Sequence, residues 1–307
     1  MKQIVFLTSQ VRWGSKPFIK KMTENTFRLF AEAGNSNNVQ VAFTSPSMIE
    51  KDHVARFWFY QSGWKIKKEK RKVQVVYSYL SYNEKNKKIL RSLEKNKSIK
   101  LINPFPLMAL CYDKAKLSKF IDKGQHPQTF LVHSSKELIV AAKKISSAMV
   151  VIKPRFGLRG EGVELYNKKN LPKRVLRNSI VQEFIELKKI KGRSYDLRLM
   201  MINSRLDHAY YRIAPKGSFK ANCSLGATKK IVDIEKIPGE AWEIAAKIDK
   251  KLEVFSPRIY SIDLIRDKLG KYYVLELESM PGFYHYTGAQ SKFRKNYLNN
   301  IFKSLDI

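Results

Sequence analysis

Lys153-Pro154-Arg155-Phe156-Gly157-Leu158-Arg159-Gly160-Glu161-Gly162-Val163 is the stretch on which the reading of this chain turns. An apolar run from Ala148 to Ile152 leads straight into it. The pattern predicts a strand, a glycine-rich hairpin and a second strand beginning at Val163. Gly157, Gly160 and Gly162 free the backbone for positive φ and for close approach to a ligand. Successive N–H groups in such a loop make a concave anion site, and Lys153 adds a cation beside it. The loop is therefore expected to cover a polyphosphate, with an ordinary glycine-rich turn as the competing reading. No Gly-Lys-Ser/Thr follows to open a helix, which excludes a P-loop, and a hairpin is the wrong context for the dinucleotide fingerprint.

Outward from this hairpin, composition sets bounds. The chain has 307 residues, 44% of them hydrophobic, enough for two or three packed units. No stretch approaches the roughly 20 apolar residues of a membrane span. Met1 to Ser9 lacks the h-region and cleavage site of a signal peptide and reads as a first core strand. Cys111 and Cys223 are far apart without metal-ligand spacing, which fits a reducing, cytoplasmic setting. A net charge of +32 attracts nucleic acid, a ribosome-bound partner or an acidic substrate. A lysine-rich surface bias, as in Lys65 to Lys72 and Lys168 to Arg174, explains it as well.

Before the hairpin, strands at 2–8, 39–43, 73–79 and 99–102 alternate with helical stretches at 20–33 and 84–96. That alternation argues for an α/β unit with a mostly parallel sheet over 1–103. Trp58 to Lys72 is aromatic, then basic, and reads as a helix with a flexible basic tail. Leu107 to Gly124 is expected as one helix, and Ser134 with Glu137 as a capping box ahead of the next. A first α+β subdomain would take 104–178 and a second 179–307. The second holds antiparallel strands at 195–202 and 206–213, a helix at 238–252, a hairpin at 258–278 and a final helix at 290–305.

The sharpest chemistry lies on the last hairpin. Asp263 sits on its first strand and Glu276 and Glu278 on its second, two apart and so on one face. Carboxylates on rigid apolar strands suit Mg²⁺, with nucleotide phosphates completing its shell. Asp196 and Arg198 share a face of a central strand, Arg212 lies on its partner, and Lys220 and Asn222 are expected on the strand after it. Such a row can hold phosphate oxygens and a carboxylate substrate and stabilise charge in phosphoryl transfer.

Taken in order, Asn103-Pro104, Asp113-Lys114, Lys153-Pro154 with its glycines, Gln182-Glu183-Phe184-Ile185-Glu186, Asp196-x-Arg198, Arg212, Phe219-Lys220-Ala221-Asn222, Asp263 and Glu276-x-Glu278-x-x-Pro281-Gly282 resemble the ATP-grasp superfamily. The resemblance is nearest to the RimK-like branch, which includes the ribosomal-protein glutamate ligase and the lysine-biosynthesis carrier-protein ligase. It covers about residues 100–285; the first hundred match as a generic Rossmann-like pre-ATP-grasp domain. It implies an ATP-grasp fold with ATP between two subdomains, Lys114 and Lys153 on its phosphates or adenine side and the hairpin as cover. Glu183 and Phe184 would meet adenine through their main chain, and Glu186 the ribose. Asp263 and Glu276, with Glu278, would hold one or two Mg²⁺ ions, Mn²⁺ substituting. Arg212 and Asn222 would face the γ-phosphate and an acyl phosphate. The implied reaction joins a carboxylate to an amine, as in adding an amino acid to a peptide or protein. A nucleotide- or nucleic-acid-binding protein of the same fold without turnover is the alternative. Two positions depart from the pattern: Glu278 stands where close relatives carry Asn, and Leu225 where they carry Arg. Tyr284, His285 and Tyr286 are candidates for an acceptor pocket, and oligomeric state is left open.

Overall fold

The structure is a computed structural model that describes residues 2–157, 160–282 and 291–305. The chain begins with β1 (Lys2–Leu7), α1 (Lys21–Ser36), β2 (Val39–Thr44), β3 (Ile49–Glu50), β4 (His53–Tyr60), β5 (Trp64–Lys72), β6 (Val75–Ser78), α2 (Glu84–Lys95) and β7 (Lys100–Ile102). β2, β1, β6 and β7 are parallel neighbours, the βαβ arrangement that the alternation demanded. The aromatic and basic stretch is corrected: it is no helix with a tail, but the antiparallel β4–β5 hairpin on the edge of this sheet. Trp58 packs into the core while most of the basic residues of β5 are exposed, so alternation on β4 and charge on β5 are two halves of one ribbon.

Next come α3 (Phe105–Tyr112), α4 (Lys114–Phe120), β8 (Thr129–Val132), α5 (Ser135–Lys144), β9 (Met149–Pro154), β10 (Glu164–Asn167) and β11 (Ser179–Glu183). The single helix expected over 107–124 is broken at Asp113, which adopts an extended backbone. Its carboxylate accepts the N–H groups of Ala115 and Lys116, so it caps α4 rather than continuing α3. Ser134 caps α5 through the Glu137 N–H, while Glu137 reaches back to the His133 N–H. The four strands form an antiparallel sheet in the order β10-β9-β11-β8.

The third group is β12 (Lys189–Ile190), β13 (Arg193–Ile202), β14 (Arg205–Ile213), β15 (Thr228–Val232), α6 (Gly239–Leu252), β16 (Ile259–Arg266), β17 (Tyr272–Glu278) and α7 (Ser291–Ser304). Its antiparallel sheet runs β15-β14-β13-β16-β17, with β12 beside β13. Leu197, Leu199, Ile262, Leu264 and Val274 form one face and pack on Ala241, Ile244, Ala245 and Ile248 of α6. α7 turns back to the first unit: Tyr297, Leu298, Ile301 and Phe302 share a core with Phe27 and Phe30 of α1. The rings of Phe30 and Phe302 lie 4.9 Å apart. Gly34 lets α1 lie close on β2, since a Cβ there would come within 2.7 Å of Val41 and 2.8 Å of the Val39 carbonyl, with Phe302 next at 3.3 Å. Among the described residues, no helix is long and apolar enough to cross a membrane.

Candidate functional site

Between the four-stranded and six-stranded sheets lies a cleft with about 980 Å³ of free space, counting its open mouth. From the first sheet it is lined by Lys153, Gly157, Gly160, Glu183 and Phe184, and Lys114 enters from α4. From the second come Asp196, Arg212, Asn222 and Glu276. Ten of the residues singled out from sequence thus meet, although more than a hundred positions separate Lys114 from Asn222.

Local chemistry explains the placement. Asp113 caps α4 and binds Arg155 by two bonds of 2.8 and 2.6 Å, which aligns the start of α4 with the hairpin. Lys114 then donates to the Gly157 carbonyl at 2.6 Å. Lys220 reaches the Gly160 carbonyl at 3.4 Å. Gly160 and Gly162 have φ of +75° and +65°, conformations that favour glycine. A Cβ at Gly160 would stand 3.0 Å from Asn222 Oδ1, so the missing side chain makes room for that amide. Gly157 lacks positive φ and has space for a Cβ, contrary to expectation. Lys220 and Asn222 are also corrected: they lie in the loop between β14 and β15, not on a strand.

Lys153 is buried on β9, with Nζ 4.0 Å from Glu276 Oε1. Burial holds its pKa down at about 8, Lys114 adding to the effect and Glu276 opposing it. Behind it, His126 Nδ1 meets the Val274 carbonyl at 2.7 Å and Nε2 meets Gln182 at 3.1 Å, bridging the two sheets. Burial and the Lys153 charge hold His126 down at about 4, the neutral ring that such bridging needs.

The second face of the six-stranded sheet is laid out in rows. Lys229, Arg212 and Asp196 are cross-strand neighbours on β15, β14 and β13. Tyr210, Arg198, Asp263 and Glu276 form the next row, and Met200, Ser261 and Glu278 the one after. Arg212 binds Asp196 through two 2.7 Å bonds and Asp263 through one of 2.6 Å. Arg198 takes both oxygens of Asp263 at 2.6 Å. So Arg198 pairs with Asp263, not with Asp196, and the pairing is buried. Burial pushes Asp196 up, whereas on Asp263 the two arginines outweigh burial and hold it below the usual carboxylate range.

A bulge next to Asp263 leaves Leu275 as an extra residue between Val274 and Glu276. Adjacent residues normally face opposite ways, yet Leu275 and Glu276 both line the cleft, because a bulge re-aims the strand there. Five expected site residues fall outside the cleft lining, Gly162 of the hairpin among them. Glu186 is exposed and ion-paired with Lys268 outside the cleft lining. Arg198 and Asp263 lie beneath the surface as a pair. Glu278 lines a second, smaller cavity, where burial pushes its carboxyl up to about 7 against the pull of Arg198. Among the described residues, no three His, Cys, Asp or Glu side chains converge as a metal site. Tyr284, His285 and Tyr286 lie outside the described residues.

Several lining residues carried no signal in the sequence. Val151, Ile265 and Leu275 give the cleft an apolar wall, but they read as ordinary core positions. Lys229, outside the lining but next to Arg212 on β15, carried no signal either. It lies with Nζ 4.4 Å from the Tyr210 ring, and burial brings it down to about 8.

The model of the RimK-like ATP-grasp domain matches residues 92–293. The chain belongs to the RimK-like ATP-grasp family. Among curated relatives, a probable alpha-L-glutamate ligase of Xanthomonas oryzae pv. oryzae is 32% identical over 144 residues, 43% of each chain. One from Coxiella burnetii is 30% identical over 179 residues, 55% of this chain and 56% of that one. The chain spans about half the length of the curated relatives it matches. Solved ATP-grasp structures share the fold across nearly the whole chain. A RiPP-associated ATP-grasp ligase of Chryseobacterium gregarium, in complex with ADP and a leader and core peptide, has a TM-score of 0.67 at 15% identity, covering 99% of this chain and 97% of that one. D-alanyl-alanine synthetase A of Vibrio cholerae has a TM-score of 0.60 at 12% identity, covering 99% and 98%. The ATP-grasp fold expected from the sequence is therefore the fold of this chain.

Proposed function

We propose that this RimK-like protein is an ATP-dependent ligase that activates a carboxylate as an acyl phosphate and joins it to an amine. One observation carries the reading: a single cleft holds Lys114, Lys153 and the glycine hairpin on one wall and Arg212, Asn222 and Glu276 on the other. The cations and hairpin N–H groups suit a triphosphate, and the apolar wall of Val151, Ile265 and Leu275 suits a base. The N–H groups of Glu183 and Phe184 already donate to the Gln128 and Met149 carbonyls, which leaves the carbonyl side of this segment for adenine. Curated relatives named as glutamate ligases, and a structural neighbour solved with ADP and a peptide, support an amino-acid or peptide substrate. Cys111 and Cys223 are both free thiols, which suits a cytoplasmic setting.

Glu276 offers an accessible carboxylate on the cleft that suits Mg²⁺, whose remaining ligands would be phosphate oxygens, and the bound ion would neutralise phosphate charge. Asp263, its cross-strand neighbour, is buried with both oxygens held by Arg198 and Arg212 and would reach such an ion only if those pairs opened. Arg212 and Asn222 would meet the transferred phosphoryl group, and Lys153 the phosphates beside Glu276.

A second reading, nucleotide binding without turnover, draws on the engagement of Asp263 by Arg198 and Arg212. Both are tested by following ADP release from ATP and Mg²⁺ against a panel of amino acids and peptides. Release stimulated by one acceptor, with a matching mass increase, supports the ligase. Tight ATP binding with no release from any carboxylate–amine pair favours the second reading.

A further inference from the structure

Residues 155–157, on the first arm of the glycine hairpin, are fastened one by one to residues 112–114, where α3 gives way to α4. The Lys114 N–H donates to the Arg155 carbonyl at 3.2 Å, and Asp113 takes the Arg155 guanidinium through its two bonds. The Phe156 ring stacks on Tyr112, with centroids 5.6 Å and planes 17° apart. Lys114 Nζ reaches the Gly157 carbonyl. Of these six residues, Lys114 and Gly157 line the nucleotide cleft and the other four do not.

Phe156 stands out in this set. Its ring is 39% exposed, and it belongs to none of the apolar clusters that hold the sheets. Its contacts are aromatic and cationic instead. Lys87 of α2 places Nζ 5.6 Å from the Phe156 ring and 4.8 Å from the Tyr82 ring. Tyr82 in turn lies 4.8 Å from Tyr112, and the Arg155 guanidinium lies 4.9 Å from Phe156. The Lys87 side chain is 17% exposed and ion-paired with Glu84, which holds its charge over the rings. Three rings and two cations therefore run from the first unit, across α3, to the hairpin.

We propose that Phe156 is a positioning residue for the nucleotide: stacked on Tyr112 beneath Lys87, it holds the hairpin arm against the first unit and so sets Gly157 and Lys114 at the phosphates. This rests on the nucleotide cleft of the ligase reading above and adds what keeps that cleft in register. Gly157 has no side chain, and Pro154, at 3.9 Å, is what a Cβ there would meet. Its placement therefore comes from Phe156 beside it and Lys114 across from it. A ligand that needs the arm in place binds with an affinity scaled by the fraction of molecules in which it is in place. Loss of the stack lowers that fraction. Lys87 and Tyr82, outside the cleft lining, thus influence nucleotide affinity from another unit of the fold.

The test is calorimetric titration of the full chain with ADP and Mg²⁺. Amide hydrogen exchange of the peptide carrying Phe156 and Gly157 is measured beside it, without nucleotide. Phe156→Ala is expected to weaken ADP about three- to tenfold and to speed that exchange, as loss of an aromatic stack would. Phe156→Tyr keeps the ring and should stay within about twofold of the parent protein. Lys87→Met keeps the stem, removes the charge and should weaken ADP about two- to fivefold. Thermal midpoints should stay near the parent value in all three, since the ring is part-exposed. In a Lys114→Met background, Phe156→Ala should add less than it costs alone, because both act on one contact. A stack that only decorates the surface would leave ADP affinity within about twofold in Phe156→Ala, or make its cost fully additive with Lys114→Met, and either result overturns the proposal. Phe156→Tyr binding ADP as weakly as Phe156→Ala overturns it too. Unchanged exchange in Phe156→Ala, with ADP bound normally by the parent protein, overturns the role of the stack alone. Faster exchange in Phe156→Ala beside a parent protein that does not bind ADP sinks the nucleotide reading and the role assigned to Phe156 with it.

Discussion

On one face of the six-stranded sheet, Leu197, Leu199, Ile262 and Leu264 press against α6. One step along the same strands, Asp196, Arg198 and Asp263 point the other way and form a buried chain of ion pairs with Arg212. The apolar face stabilises without regard to direction, each fully buried side chain contributing about 1.5–3 kcal/mol. The charged face gains little net stability, since desolvation offsets the attraction, but it orients its side chains sharply. Strand alternation lets one element carry both, so the firm packing of one face holds the geometry of the other.

Substitutions can pull the two faces apart. The largest effect is expected from Arg212→Met, which removes the link between Asp196 and Asp263. Breaking a buried pair from one side costs about 3–5 kcal/mol, and ADP release should vanish with it. A denaturant midpoint near that of the parent protein would show that the charged face does not depend on its pairing. Lys153→Ala and Glu276→Ala should lower ADP release by about a hundredfold or more while leaving thermal stability nearly unchanged. Turnover unchanged in both would remove them from the site. Leu264→Ala should do the reverse, costing about 2–5 kcal/mol in urea unfolding with little change in turnover per folded molecule. A smaller effect concerns pH. Lys153, held at about 8, loses its charge as pH rises through that value. In the free protein kcat/KM for ATP should then fall by up to about tenfold per pH unit above 8, while kcat, reporting the phosphate-bound lysine, stays level further. A kcat/KM profile flat across that range would contradict a phosphate contact by Lys153.

Much of this was legible in the residues themselves. Strand period, glycine spacing and the Asp263–Glu276–Glu278 alternation are local patterns, and they located the hairpin, the sheets and most of the cleft. What stayed hidden is non-local. No pattern around Arg198 says that its partner is Asp263, 65 positions away, rather than Asp196 two residues off. The bulge that brings Leu275 and Glu276 to the same cleft depends on register with β16. Glu278 and Glu276 share a face, as their spacing required, but the element packed over each differs, and only α3 folding against the end of β17 gives Glu278 a cavity of its own. The β4–β5 ribbon was missed because lysine-rich alternation on an edge strand has no apolar partner to announce it.

α7 also orders the birth of the molecule. α1 is synthesised long before α7, yet Phe30 finds its cover in Phe302 of that later helix. At about 5–20 residues per second, a growing chain carries that apolar patch uncovered for tens of seconds. A chain ending before Ser291 should keep it open, which limited proteolysis within α1 would reveal. Emergence of α7 thus doubles as a checkpoint: the core around α1 is sealed only after both later sheets have been made.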